Sequence, residues 1–570
     1  MIIYKKKKGF TLIEILLVIT AIGVFSAIGL VVLNPNKQLE AGRAVKRKAD
    51  MDAIAKAIEQ YVVNNRGKYP PALQSVITGG TVGLCVTSPC TGGIDLTTDL
   101  APYIAAIPLP QTGQYTITKT ATGIIPAYDS STIWATAGTT APKLDLNFAR
   151  DKQLVNAVDG TNPINFARVT NPGNIVESTP TATYVDSDRL IKTATVNAPR
   201  FTHDPITKSS QGLLIEEQRT NLWLYSTDIS NVYWEKSGSM SATANQSLAP
   251  DGTNTGTLMS ASGLYPNVAK TIAASTGQVY TYSVFVKYIN QQNATIVQEG
   301  WGLNYSMSIN LVSGTINTGT NITASSITPY SNNWYRVSAT YTIPTGQTTF
   351  RPQFRIGNYD GTNYNGSQVY IWGAQLEQGA FPTSYIPTTT AAVTRSADVA
   401  SITGTNFTTT SGGGWYNQAA GTWFSQFSPI YTATAAIPSN TPHIFQVYNT
   451  AINQNNYALR GAINATSFLG VARNPNPILL FPGMTFNYLV GNNIYKSVYA
   501  INSSDLIVGI NGNIGTITTN TAATGMATHD RLDIGSGTGG APPYALNGII
   551  SRLTYWPTRL SNTTLTNITK

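Results

Sequence analysis

Hydrophobic and polar positions form three patterns along the chain. Phe10–Leu33 is predominantly apolar and carries no charge apart from Glu14, and as a helix it would extend roughly 36 Å, enough for the ~30 Å hydrocarbon core of a membrane. Met51–Val62 places apolar residues at a helical period, which predicts an amphipathic helix. Val279–Lys287 and Trp334–Tyr341 alternate apolar and polar positions and are rich in aromatic and β-branched residues, which predicts antiparallel strands.

The ends of the amphipathic helix are also predicted by its sequence. Asn34-Pro35 should bend or break the helix after the apolar run, because proline cannot donate to the helical ladder and restricts the residue before it. Gly67 and then Tyr69–Pro71 should end the helix. A short β segment is predicted near Gln114–Thr120.

Charge at the amino terminus gives the apolar run an orientation. Lys5–Lys8 precede it, and the positive-inside rule keeps such lysines on the cytoplasmic side. Glu14 costs about 2.5 to 3.5 kcal/mol inside a membrane-spanning run, so it indicates a partner that is supplied after insertion. A secretory signal peptide or an uncleaved anchor would also carry lysines before an apolar segment, but neither accounts for Gly9-Phe10 followed by Glu14 in this register.

This order of residues resembles the amino terminus of type IV prepilins and pseudopilins. The resemblance implies that a prepilin peptidase cuts between Gly9 and Phe10 and that Phe10 is then N-methylated. It also implies that Glu14 neutralises the terminal amine of a neighbouring subunit during filament assembly. The expected partners are the peptidase, the inner membrane and other pilin subunits. The precursor would be a single-pass membrane protein, and the processed chain would lie in a cell-surface pilus or pseudopilus.

Charge is concentrated near the amino terminus. Residues 1–70 hold 12 Lys and Arg against 5 Asp and Glu, so residues 71–570 carry only +2 of the net charge of +9. The bulk of the protein therefore has no basic surface, and nucleic-acid binding receives little support. Low overall charge with abundant Gly, Tyr, Thr, Asn and Ser favours β structure with polar loops.

The two cysteines, Cys85 and Cys90, lie close together in a Gly/Thr/Pro-rich loop. In an exported protein we expect them to form a small disulfide. With two thiols and no histidine nearby, a zinc site is disfavoured.

Several sequence segments in the middle of the chain resemble a module of phage tail and head-associated proteins. That module has a jelly-roll, carbohydrate-binding-like fold. The segments are Ala182–Asp186, Pro199–Phe201, Gly212–Leu222, Trp372–Glu377 and Phe381–Pro387. The resemblance implies the fold more firmly than a ligand. Such modules often hold a structural calcium, which stays an open alternative here.

The last part of the chain resembles the concanavalin-A-like, laminin-G-like lectin fold. The phrases that carry this resemblance are Trp415–Gln418, Gly421–Phe424, Val508–Asn513, Arg531–Gly535 and Ile549–Leu560. Asn511-Gly512 is the favoured turn of a tight hairpin.

Together these patterns predict a multidomain protein with a long amino-terminal α-helix, a small α+β pilin-like head and two mainly antiparallel β-sandwich domains. The expected division is a leader (1–9), a transmembrane helix (10–33), the helix and head (34–142), a jelly-roll domain (143–400) and a lectin-like domain (401–570).

Acidic residues argue against an enzyme. Retaining glycosidases need two carboxylates about 5 to 5.5 Å apart, and no Glu follows Glu377. Glu216-Glu217 before Arg219 is expected to be a structural pairing of charges. The three histidines, His203, His443 and His529, are expected at the surface or in turns.

Aromatic residues in segments rich in Asn and Gly are the candidate glycan contacts, because a sugar ring stacks on an exposed aromatic face. They are Trp301, Tyr305, Tyr359 and Tyr364. The opposing interpretation is that these side chains are core or cross-strand partners. Asn358–Asn363 offers oxygen ligands for calcium, but its glycine falls too early for an EF-hand loop and a polar turn is the simpler interpretation.

The function that this reading predicts is a minor or tip pilin-like subunit that displays its β modules for adhesion to glycans or other surface polymers. The alternative is a pseudopilin of a type II secretion or DNA-uptake machine with no ligand of its own.

Overall fold

The computed structural model describes residues 35–66, 68–74, 76, 81–85, 94–104, 107, 114–119, 124–129, 142–170, 175–237, 239–408, 414–431, 442–451, 458–463, 467–473, 478–480, 484–485, 493–503, 505–519, 528–537 and 545–570. The chain divides into two compact units, residues 1–139 and 140–570. Among the described residues no helix is long and apolar enough to cross a membrane, and the predicted span at 10–33 lies outside them.

The first unit is built on a long helix, α1 (Pro35–Asn64). Its buried face is formed by Ile54, Ala57 and Ile58, which recur at the helical period that the sequence predicts. The helix ends before Gly67, as expected. Three partly buried side chains extend the same stripe: Met51, Tyr61 and Val62.

A small sheet packs on this helix. Its elements are α2 (Pro71–Gln74), β1 (Thr81–Cys85), β2 (Ile94–Asp95), α3 (Thr97–Leu100), β3 (Gln114–Lys119) and β4 (Ile124–Asp129). The strand order is β2-β1-β3-β4, with β1 parallel to β2 and the other pairs antiparallel. Leu84, Tyr115 and Ile117 share a core with Ile54 of the helix. Cys85 ends β1, and Cys90 lies outside the described residues.

The second unit is almost entirely β structure. Its first elements are β5 (Leu144–Leu146), α4 (Phe148–Asp151), β6 (Asn165–Thr170), β7 (Ile175–Val176), β8 (Thr183–Val185), β9 (Ile191–Thr193), β10 (Phe201–His203), β11 (Ser210–Ile215) and β12 (Arg219–Asn221).

The next strands are β13 (Glu235–Lys236), β14 (Met240–Ser247), β15 (Gly256–Ala261), β16 (Asn267–Ala269), β17 (Ile272–Ala273), β18 (Val279–Tyr288), β19 (Asn293–Gln298), β20 (Ser306–Asn310), β21 (Thr315–Thr318), β22 (Ile322–Tyr330), β23 (Trp334–Thr342), β24 (Thr349–Phe350), β25 (Pro352–Ile356) and β26 (Gln368–Gln378). Short 3-10 turns cover Leu303–Tyr305 and Ser331–Asn333.

The last elements are β27 (Val393–Arg395), β28 (Ala397–Thr403), α5 (Thr405–Thr408), β29 (Gly421–Pro429), β30 (His443–Tyr448), β31 (Ala458–Ile463), β32 (Ser467–Arg473), β33 (Ile478–Leu480), β34 (Met484–Thr485), β35 (Tyr495–Ile501), β36 (Asp505–Ile510), β37 (Asn513–Ile514), β38 (Thr518–Thr519), β39 (Arg531–Ile534), β40 (Gly548–Trp556) and α6 (Asn562–Thr569).

Strands β13 to β26 contain one sandwich, here called the inserted sandwich. One six-stranded sheet has the order β13-β16-β25-β19-β20-β21 and the other has the order β14-β15-β26-β18-β23-β22. The two predicted alternating segments are β18 and β23, and they pair with each other from Val279 to Lys287. Tyr282 and Val284 from one sheet meet Ile296 and Phe354 from the other in a shared core.

The other sandwich, here called the split sandwich, takes strands from both sides of the inserted one. Its first sheet has the order β10-β11-β40-β29-β35-β36-β37, with β5 also paired to β40. Its second sheet has the order β33-β32-β31-β30-β39-β28-β6-β7. Trp423 of the first sheet stacks on Phe445 of the second with ring centroids 4.7 Å apart. Strand pairing therefore crosses residue 400, where the sequence places a boundary between modules.

The structure confirms the predicted hairpin turn and corrects the predicted position of the three histidines. Asn511 and Gly512 both have positive φ (46° and 80°) and join β36 to β37, so the predicted tight hairpin is confirmed. The sequence predicts His203, His443 and His529 at the surface or in turns, and the surface position is wrong for all three, since each is buried. His203 ends β10 and His443 begins β30. The Nδ1 atom of His529 is hydrogen-bonded to the Tyr416 hydroxyl at 2.7 Å.

Candidate functional site

The four aromatic residues predicted to contact glycans lie in the inserted sandwich as two pairs. Trp301 and Tyr305 are half-buried against its core, with ring centroids 5.2 Å apart, and Trp301 also stacks on Phe350 at 5.8 Å. Tyr359 and Tyr364 share one loop, where Tyr359 is exposed and Tyr364 is buried. The structure therefore presents a half-buried aromatic pair at one place and a single exposed ring at the other.

The buried Tyr364 side chain forms hydrogen bonds within the loop Asn358–Asn363. Its hydroxyl accepts a hydrogen bond from the Asn358 N–H at 2.7 Å and donates to Asp360 Oδ1 at 3.1 Å. Gly357, with φ of 81°, lies so close that a Cβ there would be 2.1 Å from the Tyr364 ring. Asp360 also accepts from the Thr362 N–H at 3.0 Å. These contacts make Asn358–Asn363 a self-bonded polar turn.

Tyr359 lies beside two residues that the sequence pattern did not single out, Arg355 and Tyr265. The Arg355 Cζ atom is 4.4 Å from the Tyr359 ring centroid and 5.5 Å from the Tyr265 ring centroid. The two rings are 5.5 Å apart and nearly perpendicular. Tyr265 is 43% exposed and Tyr359 is 37% exposed, whereas Arg355 is only 4% exposed. Two solvent-facing rings thus cover one buried guanidinium.

Strand alternation puts Arg355 on this face. In β25, Phe354 and Ile356 point into the core, so Gln353 and Arg355 point to the opposite face of the sheet. Asn267 on β16 is the cross-strand partner of Arg355. We call Arg355, Asn267, Gln353, Tyr265 and Tyr359 the Arg355 site.

Hydrogen bonding in the Arg355 site is incomplete. Arg355 donates from Nε and Nη2 to Gln353 Oε1 at 2.9 and 2.6 Å. Asn267 donates from Nδ2 to the Tyr265 carbonyl at 3.0 Å. Within the described part of the chain, Arg355 Nη1 and Asn267 Oδ1 are buried and have no hydrogen-bond partner. One charged donor and one neutral acceptor of the Arg355 site are therefore left without a partner.

Charges around the site neutralise one another, apart from Arg355. Glu299 accepts from Gln353 Nε2 at 2.6 Å and pairs with Arg351, and Arg351 also pairs with Glu235 at 3.0 Å. Lys270 completes this row of paired charges at 3.3 Å from Glu235. Burial lowers the pKa of Arg355, while the Tyr359 and Glu299 side chains act in the opposite direction. The guanidinium nevertheless stays charged at neutral pH.

A second place of interest is a cavity of about 150 Å³ between the two sandwiches. The residues that line it include Tyr184, Thr202, Glu216, Tyr330, Arg336 and Ser384. Glu216 accepts from Arg200 Nη1 at 2.7 Å, from Arg395 Nη1 at 2.6 Å and from Ser384 Oγ at 2.6 Å. Every strong interaction of this carboxylate is therefore with the protein itself.

The pKa of Glu216 shows what this carboxylate can do. Burial by itself raises the pKa, but Arg395 and Arg200 outweigh burial and lower the pKa to about 2. A general acid must be protonated near neutral pH. Glu216 is therefore unsuited to acid catalysis, and its role is to hold the two guanidiniums.

Glu216 belongs to a larger buried network of three arginines and three acids. Asp398 pairs with Arg168 at 3.0 Å and with Arg200, and Glu177 pairs with Arg168 at 2.9 Å. The network joins the segment that precedes the inserted sandwich to the segment that follows it. The expected pairing of charges at 216–219 is confirmed for Glu217 and Arg219, while Glu216 binds the more distant Arg200 and Arg395.

Cation binding can be tested on the described residues. No group of three His, Cys, Asp or Glu side chains among them is arranged to hold a metal ion. Four carbonyl oxygens, from Ile229, Ser230, Asn231 and Trp234, instead converge on Lys236 Nζ at 2.9 to 3.4 Å. An ion in that turn would have to displace the lysine ammonium.

The remaining predicted site residues, Gly9, Phe10, Glu14 and Cys90, lie outside the described residues. Residues 4–30 match the family described as the prokaryotic N-terminal methylation motif. The chain carries a prepilin-type amino-terminal motif. Among curated proteins none matches this chain.

Solved structures resemble part of this chain. The CBM40 module of the Ruminococcus gnavus IT-sialidase, bound to α2,3-sialyllactose, is 17% identical over 27% of this chain and 84% of that chain, with a TM-score of 0.22. A leech intramolecular trans-sialidase is 13% identical over 27% of this chain and 23% of that chain, with a TM-score of 0.23. Domain 4 of AbnA, a GH43 arabinanase from Geobacillus stearothermophilus, is 12% identical over 30% of this chain and 73% of that chain, with a TM-score of 0.22. At these scores the likenesses decide neither ligand nor chemistry.

Proposed function

We propose that this protein is a minor or tip pilin-like subunit that displays its β-sandwiches at the cell surface for adhesion to glycans. The observation that carries the proposal is the prepilin-type motif at residues 4–30, at the head of a chain whose residues 140–570 form a separate compact unit. A unit of this size would project from every position of a helical fibre if the chain were the repeated subunit. A minor or tip position accommodates it more easily.

The amino terminus would be processed and assembled as the motif implies. In this proposal a prepilin peptidase cuts between Gly9 and Phe10, Phe10 is N-methylated, and Glu14 pairs with the terminal amine of a neighbouring subunit. The division into a leader (1–9), a span (10–33) and a helix with its head (34–142) remains part of the proposal, as does a disulfide between Cys85 and Cys90.

Display of a binding module is supported by the Arg355 site. Tyr265 and Tyr359 present partly exposed rings, which can stack on the apolar face of a sugar ring. Asn267 and Arg355 provide polar groups beside them that are not fully bonded within the protein. Glu216, the acid of the inter-sandwich cavity, is held ionised, which supports binding without cleavage.

A fragment comprising residues 140–570 is expected to retain polysaccharides or cell-surface polymers without cleaving them. Both large β cores are formed by residues of this unit, so the fragment contains all that it needs to fold. Tyr265→Ala with Tyr359→Ala should lower retention about tenfold, as for aromatic residues at a binding hot spot. Retention on a polysaccharide panel and the release of reducing ends are the two readouts.

The matched control is Tyr288→Ala, which removes a comparably exposed tyrosine from β18, in the other sheet of the inserted sandwich. It should leave retention unchanged. New reducing ends would refute the non-enzymatic part of the proposal. A fragment that binds none of the polymers or cell surfaces would favour a pseudopilin with no ligand of its own.

A further inference from the structure

Arg355 differs from the other deeply buried arginines of the described structure. Arg168, Arg200, Arg395 and Arg552 each pair with at least one carboxylate. Arg355 is 4% exposed, and within the described residues its hydrogen-bond acceptor is the neutral Gln353 amide. A buried charge without an opposite charge is costly, and stacking on tyrosine offsets only part of that cost. The site is therefore stabilised further by any anion that reaches the guanidinium.

The local charges favour an anion at this point. Glu299, Arg351, Glu235 and Lys270 form a row of mutual ion pairs, so they leave the positive charge of Arg355 uncompensated. Asp360, the acid of the adjoining loop, is held by the Thr362 N–H and the Tyr364 hydroxyl.

We propose that the Arg355 site binds the carboxylate of an acidic sugar. The inference rests on the proposed glycan-binding function and specifies its ligand class. The carboxylate accepts a charge-assisted hydrogen bond from Arg355 Nη1, a sugar hydroxyl donates to Asn267 Oδ1, and the sugar ring stacks on tyrosine. The Arg355 Cζ atom lies 4.4 Å from the Tyr359 ring centroid, and Tyr359 is partly exposed. In this proposal the Tyr359 side chain rotates to uncover the guanidinium and then stacks on the sugar.

Two matched pairs of probes test this proposal on the full-length chain, purified in detergent and immobilised. Oligogalacturonate is compared with its methyl ester, and sialyllactose is compared with the methyl ester of its sialic acid carboxylate, so each pair differs in the charge of the carboxylate and the two pairs separate uronic from sialic acids. At least one acidic probe should bind about tenfold more tightly than its neutral counterpart, equivalent to about 1.4 kcal/mol.

Arg355→Met keeps the aliphatic stem and removes the charge, so it should abolish the preference for the acidic probe. The control is Arg351→Met, which removes a neighbouring arginine whose charge is already paired and should leave the preference intact. Because Arg355→Met removes an unpaired buried charge, we expect it to melt no lower than the wild type. If it is unfolded, Arg355→Lys, which offers a point charge in place of a planar fork, should give a reduced preference and supplies a second test.

The outcomes distinguish a failure of the proposed ligand class from a failure of the proposed glycan binding. Equal binding of acidic and neutral probes leaves glycan binding intact and overturns the proposed ligand class. A preference that survives Arg355→Met overturns the assignment to this residue. Absence of binding to all four probes and to the polysaccharide panel overturns the proposed function together with this inference.

Discussion

Replacing Glu216 with Gln is expected to lower the free energy of unfolding of the 140–570 unit by about 3 to 5 kcal/mol. Glu216 is buried and accepts from Arg200 and Arg395, so the neutral amide leaves two guanidiniums short of one negative charge. Urea unfolding followed by tryptophan fluorescence measures the loss. The matched control is Glu235→Gln, whose pairs with Lys270 and Arg351 are partly exposed and should contribute about 0 to 1 kcal/mol.

The same ion pairs predict a loss of stability in acid. The pKa of Glu216 is about 2 in the folded protein, below its ordinary value of 4.5. The stabilisation, about 3 kcal/mol, is fully present above pH 4.5 and disappears as the pH falls towards 2. Glu216→Gln should flatten this part of the pH profile. Equal urea midpoints for the Glu216→Gln and Glu235→Gln variants would show that the buried network contributes no more to stability than the partly exposed ion pairs do.

Replacing Gly9 with Val is expected to abolish maturation, because the peptidase must accommodate the residue before the scissile bond in a site that a side chain obstructs. The chain should accumulate as an unprocessed, membrane-held precursor that retains its lysine-rich leader. Gly23→Val, which makes the same change within the apolar run, is the control and should be processed normally. A Gly9→Val chain that begins at Phe10 by mass spectrometry would refute the assigned cleavage site.

Features set by local pattern could be predicted from the sequence. The stripe of Ile54 and Ile58 on the helix, the strands β18 and β23 and the Asn511-Gly512 hairpin all depend on residues a few positions apart. Their periodicity or turn chemistry decides the structure, and tertiary contacts agree with it.

Features that depend on the pairing of distant residues could not be predicted from the sequence. Leu213 of β11 pairs with Ile550 of β40, so the split sandwich joins segments that lie on either side of the inserted sandwich in sequence, and no local pattern marks such a partner. The burial of His529 depends in the same way on Tyr416, which lies far from it in sequence. Glu216 takes part in a structural pairing of charges, as the sequence predicts, but its partners are Arg200 and Arg395 and not the neighbouring Arg219.

The Arg355 site illustrates the same limit for function. Alternation along β25 indicates that Arg355 shares a face with Gln353, but it cannot show that Tyr265 and Tyr359 cover the guanidinium. The signal that could have singled it out is an arginine in an otherwise uncharged strand, flanked in the folded sheet by Asn267 and by a loop rich in Asn, Gly and Tyr.

We propose that this chain is processed as a prepilin and displayed in a surface filament. Mass spectrometry of filaments sheared from cells that produce the wild-type chain tests this proposal most directly. We expect peptides from residues 140–570 in the filament fraction, together with an amino-terminal peptide that begins at N-methylated Phe10. We expect a Glu14→Val chain to be processed but absent from that fraction. A chain that still begins at Met1, or a Glu14→Val chain present in filaments at the wild-type level, would contradict the proposal.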